Sequence, residues 1–106
     1  MIAAVPHKPP ARVQVVAREF SFVLSRQSIP AGRAIVELSN MGEDAHDLRM
    51  KRVGGTLVYA WPVTQPGGVV DKAVRLVPGR YVLWCSLGDH RALGMVATLV
   101  VRKAGT

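Results

Sequence analysis

Short runs of alternating apolar and polar residues, cut by Gly and Pro turn signals about every 8–12 residues, constrain this chain more than anything else in it. Val13, Val15 and Ala17 alternate with Arg12, Gln14 and Arg18, then Phe20, Phe22 and Leu24 alternate with Ser21 and Ser25. Ile29-Pro30-Ala31-Gly32 reads as a turn, after which Ala34, Val36 and Leu38 share one side and Glu37 takes the other. Leu48 and Met50 stand against Asp47, Arg49 and Lys51. Gly54-Gly55 and Pro66-Gly67-Gly68 bracket residues 56–63, where Pro62 has no N–H to donate and confines the segment to a sheet edge or a loop. Residues 69–77 and 81–85 flank Pro78-Gly79, and 96–101 closes the pattern. A period of two puts every second side chain on one face, so each run can bury one face only. Seven or eight such strands predict an all-β fold, a Greek-key sandwich or small barrel forming one domain over residues 12–106. No segment has helical periodicity, and a short helical turn between residues 54 and 70 is the one place left open for it.

The composition, 49% hydrophobic and 20% charged, is that of an ordinary globular protein and excludes a disordered or collagenous chain. One cysteine excludes a disulfide scaffold and leaves the redox compartment open. No apolar run approaches the roughly 18 residues of a membrane span. Residues 1–11, with the prolines of MIAAVPHKPP, read as an extended tail without the apolar core of a secretory leader. His7 in that tail reads as a solvated histidine. The net charge of +7 predicts attraction to acidic partners. Nucleic acid is not among them: single strands are gripped by aromatics on an exposed face, aromatics are 6% here, and Phe20 and Phe22 fall on a face expected to be buried.

The residues with ligand chemistry are grouped. Cys85, His90 and Met95 form C-x4-H-x4-M between the last two strand candidates, and His46 opens another strand upstream. Taken singly, the cysteine reads as a small buried hydrophobe, the methionine as core filler and each histidine as a surface residue. Together, one thiolate, two imidazoles and a thioether are what a trigonal His2Cys copper site with a weak axial methionine requires. The same set also accepts Zn(II). Gly88 and Gly94 suit a loop that folds back so that three side chains converge. Met41 and Met50 lack such partners and are read as structural. Only His7 remains for a second metal site, which argues against catalysis by this chain, and a binuclear copper centre would need a second cysteine.

Pro78-Gly79-Arg80-Tyr81-Val82-Leu83-Trp84-Cys85, Glu19-Phe20-Ser21-Phe22, Ile29-Pro30-Ala31-Gly32, Ser39-Asn40-Met41-Gly42 and Ala45-His46-Asp47-Leu48 occur here in an order that resembles the cupredoxins, the blue-copper electron-transfer family. The ligand loop is most similar to the longer version in auracyanin and rusticyanin. The resemblance spans about residues 12–102. It implies one copper ion on His46, Cys85 and His90, with Met95 weak along the axis and the Ala45 carbonyl a candidate on the opposite side. It implies a one-electron carrier; a copper carrier or chaperone with the same ligands is the alternative. His90 would be the electron portal to a redox protein partner, rimmed by Leu87, Ala92 and Leu93 with Arg91 at the edge, and Trp84 a second path. A monomer, peripheral contact with a membrane complex, and a periplasmic or extracellular location follow from the same resemblance. Tyr81 fits a tyrosine corner, whose role is structural. Asp47 stands where the family often has Asn and would accept from Ser86, its charge favouring Cu(II) and lowering the potential. Asp89 adds another negative charge. Four of the seven acids fall in the two ligand loops, so the metal end should be neutral or acidic and the flanks basic.

Overall fold

The structure, a computed structural model, describes residues 8–105; the tail reading for His7 lies outside them. Among the described residues nine strands form two mixed sheets: β1 (Ala11–Arg18), β2 (Ser21–Leu24), β3 (Ser28–Pro30), β4 (Gly32–Asn40), β5 (His46–Arg52), β6 (Val58–Thr64), β7 (Val69–Leu76), β8 (Gly79–Trp84) and β9 (Val96–Arg102). One sheet has the order β2-β1-β4-β7 and the other β3-β9-β8-β5-β6. The pairs β1–β4 and β3–β9 are parallel and the rest antiparallel. The all-β sandwich expected from the alternation is therefore present, with its inward residues in a single core: Val13, Val15 and Ala17 of β1, Ala34, Val36 and Leu38 of β4, Leu48 and Met50 of β5, and Tyr81 and Leu83 of β8 are all nearly inaccessible. Trp61 fills the middle and donates its indole N–H to the Val36 carbonyl across the sheets at 3.0 Å, which satisfies its one polar atom.

Two local expectations are corrected. Ser28–Pro30 is a strand where a turn was expected: Ile29 is fully buried, and Pro30 is tolerated because β3 is an edge. The segment around residues 54–70 holds β6 and no helical turn; among the described residues the one helix, α1, is His90–Leu93 inside the ligand loop. Four residues are too few to show a 3.6-residue period. Of the two methionines read as structural, Met50 is core and Met41 is 59% exposed. Pro62 does lie on an edge strand, since β6 terminates its sheet.

At the end of the sandwich where β4 gives way to β5, buried Asn40 shapes the connection. Its side-chain amide donates to the carbonyls of Asp44 and Thr64, both at 2.8 Å, and its Oδ1 accepts the Gly42 N–H at 2.9 Å. The chain is thus folded back tightly and delivers His46 to the inner face at the first position of β5.

Candidate metal centre

His46 and the segment 85–95 meet at this end. β5 and β8 are hydrogen-bonded neighbours, so the start of one lies beside the end of the other. The register of β5 with β6 shifts between His46 and Leu48, where Asp47 alone stands opposite Pro62 and Val63. His46, Asp47 and Leu48 are consecutively buried. Asp47 shares the side of β5 that alternation gives Arg49, its Oδ2 3.6 Å from Arg49 Nε, yet it is only 2% exposed because the segment after Cys85 covers it. There its Oδ1 accepts the Ser86 N–H at 2.7 Å and its Oδ2 the Ser86 hydroxyl, so the carboxylate clasps the residue after Cys85 to the residue after His46.

The loop beyond Cys85 is tied to itself. The Cys85 N–H donates to the Met95 carbonyl at 3.2 Å, and the Met95 N–H donates to the His90 carbonyl at 3.0 Å. Gly94 is required where the loop turns back: its φ is +129°, and a Cβ there would lie 2.7 Å from the Phe20 carbonyl oxygen. Cys85 and Met95 are buried and His90 is half-buried, so the loop presents one edge of the His90 ring outward.

Three donor atoms converge. His46 Nδ1 and His90 Nδ1 are 3.3 Å apart, Cys85 Sγ is 3.6 Å from His90 Nδ1, and all three lie within 4.8 Å of one another. Bonds of about 2.0 Å to nitrogen and 2.3 Å to sulfur at about 110–120° would separate the nitrogens by about 3.3–3.5 Å and nitrogen from sulfur by about 3.5–3.7 Å. The spacing thus fits one ion held by all three, and thiolate plus imidazoles is the donor set of copper or zinc. Met95 brings its thioether into the same loop and is fully buried.

The electrostatics contain a residue that the sequence reading passed over. Glu19, in the turn between β1 and β2, pairs its Oε2 with His46 Nε2. The N–H of Glu43 above all pulls its carboxyl down to about 2, against partial burial and with help from His46 and the Asp44 N–H. Burial pushes the Cys85 thiol up, opposed by N–H donation from Leu87 and Asp47, so a cation is needed to favour the thiolate. Phe20, expected on a buried strand face, is half-buried in the same turn with its ring 5.0 Å from that of His90. Arg91 lies over the Trp84 ring at 4.9 Å. Tyr81 makes its corner as expected, donating to the Val77 carbonyl at 3.0 Å and accepting the Val77 N–H at 3.1 Å.

No protein-family model matches this chain, and no curated protein does. Solved structures do match. Dithionite-reduced auracyanin from Roseiflexus castenholzii is 17% identical with a TM-score of 0.72, and the match covers 89% of this chain and 98% of that one. Auracyanin A, a "blue" copper protein from Chloroflexus aurantiacus, is 13% identical with a TM-score of 0.70, covering 89% of this chain and all of its own. Reduced rusticyanin is 23% identical with a TM-score of 0.62, covering 90% and 82%. The chain has the cupredoxin fold. At these identities the likeness is one of backbone, yet the cupredoxin sandwich here carries its own His-Cys-His cluster at the end of the fold, where β5 begins and β8 ends.

Proposed function

We propose that the protein is a mononuclear type 1 copper protein that carries single electrons between redox partners. The observation that carries this reading is the convergence of His46 Nδ1, His90 Nδ1 and Cys85 Sγ at the spacing one ion demands. His46, Cys85 and His90 would hold the ion strongly and Met95 weakly along the axis. A bound copper supplies a one-electron couple, Cu(I)/Cu(II). The chain's own contribution is rigidity. His46 is anchored by β5, Cys85 by β8, and Asp47 locks the two segments through Ser86, so the donors keep their places in either charge state. Little rearrangement on electron arrival favours fast transfer. The half-buried His90 edge, with Phe20, Leu87, Ala92 and Leu93 around it, is the contact we assign to a redox protein partner, in the manner of a peripheral dock on a membrane complex or a soluble carrier. Among the described residues no helix is long and apolar enough to cross a membrane. A monomer working in the periplasm or outside the cell, with residues 12–106 as its single domain and no catalytic turnover of its own, completes the proposal.

The test is to add one equivalent of Cu(II) to the reduced protein and record visible and electron paramagnetic resonance spectra. A strong thiolate-to-copper band with a narrow parallel hyperfine splitting is expected, and Cys85→Ser should abolish it. Absence of the band in protein shown by metal analysis to be free of zinc would sink the reading.

A further inference from the structure

Glu19 stands outside the C-x4-H-x4-M loop and outside β5, yet its carboxylate reaches a ligand from the other sheet. It occupies the turn between β1 and β2, and its Oε2 lies within hydrogen-bond reach of His46 Nε2. The rest of the carboxylate is held by the loop before His46: Oε1 accepts the Glu43 N–H at 2.6 Å and Oε2 the Asp44 N–H at 3.2 Å. The loop leaves room for it, because a Cβ on Gly42 would come within 2.7 Å of Oε1. The His46 side chain is fully inaccessible, so no water competes for Nε2.

A carboxylate accepts hydrogen bonds and does not donate them. His46 must therefore carry its proton on Nε2, which leaves Nδ1 as the bare lone pair, and Nδ1 is the atom that faces His90 and the metal cluster. A negative charge on the far side of an imidazole raises its donor strength. On the reading of the site as a copper centre, we propose that Glu19 is a positioning residue that commits His46 Nδ1 to the ion and, by its charge, favours Cu(II) over Cu(I). A mere clip for the loop at residues 42–44 would need the hydrogen bonds and not the charge.

Glu19→Gln keeps the size and removes the charge. In the copper-loaded protein its Cu(II)-to-Cu(I) affinity ratio should fall about tenfold, the low end for loss of such a partner, which for a one-electron couple is a rise of about 59 mV in potential. In the metal-free wild type, nitrogen-15 NMR should find the His46 proton on Nε2. An unchanged potential in the variant overturns the proposal and leaves Glu19 a loop clip. A proton on Nδ1 in the metal-free wild type overturns it as well, and that readout stands even if the variant fails to fold. Wild-type protein that never develops the thiolate-to-copper band would instead bring down the copper reading, a failure the metal-free spectrum tells apart.

Discussion

Each ligand residue is surrounded by contacts that restrict what its donor atom can do. The Cys85 sulfur is buried and receives N–H groups from Leu87 and Asp47, the kind of environment that tunes a metal–thiolate bond. The Met95 side chain is fully buried, and its backbone is bonded to both Cys85 and His90, which ties the residue into the loop. Replacing its thioether by an alkyl group removes a weak donor that stabilises Cu(II) more than Cu(I). Met95→Leu should therefore keep the thiolate-to-copper band and raise the potential; a potential that does not move by voltammetry would mean that Met95 is not the axial ligand. The residues of this loop were readable in advance because soft donors ten residues apart are a local pattern. Glu19 was not, because an acid at a strand end is commonplace and its partner lies 27 residues away.

At the scale of elements, Asp47 ties β5 to the segment after β8, and Tyr81 ties the start of β8 to the residue after β7. The burial of Asp47 could not be read from periodicity, since it comes from Ser86, 39 residues further along the chain, and not from β5 alone. The corner at Tyr81 could, because it is made with Val77, four residues back along the chain. Its hydroxyl serves both Val77 backbone groups, so Tyr81→Phe should cost about 1–3 kcal/mol in denaturant unfolding without altering the copper spectrum. Burial also raises the Tyr81 ionisation above the usual phenol value. A group whose folded pKa is raised contributes stability that is whole below the unfolded value, about 10, and is lost as pH climbs through the folded one. Wild-type stability should thus decline above about pH 10, and the phenylalanine variant should decline less steeply. Equal slopes would show that Tyr81 ionises alike in the folded and unfolded chain, so that its burial contributes nothing to the alkaline limb.

For the whole molecule, charge is segregated as the loops foretold. Glu19, Glu43, Asp44, Asp47 and Asp89 gather at the metal end. Arg49 and Lys51 of β5, Arg80 of β8 and Arg102 of β9 alternate with the core residues of those strands, and Arg91 covers Trp84 beside them. Attraction between this face and an acidic redox partner is screened over about 10 Å at 0.1 M salt. The rate of electron exchange with such a partner should fall as ionic strength rises, and Lys51→Ala with Arg91→Ala should flatten that dependence while leaving the potential alone. An unaltered salt slope in stopped-flow measurements would place the contact wholly at the apolar rim of His90. The sequence by itself determined the sandwich, the edge position of Pro62, the tyrosine corner and the loop that carries cysteine, histidine and methionine. All of these rest on alternation, missing donors or neighbours a few residues apart, which a linear pattern can record. The tertiary structure decided the strand nature of residues 28–30, the burial of Asp47, the tilted packing of Phe20 against His90 and the reach of Glu19 to His46. Those depend on which strands become neighbours, and packing two sheets face to face brings together residues whose separation in sequence carries no signal.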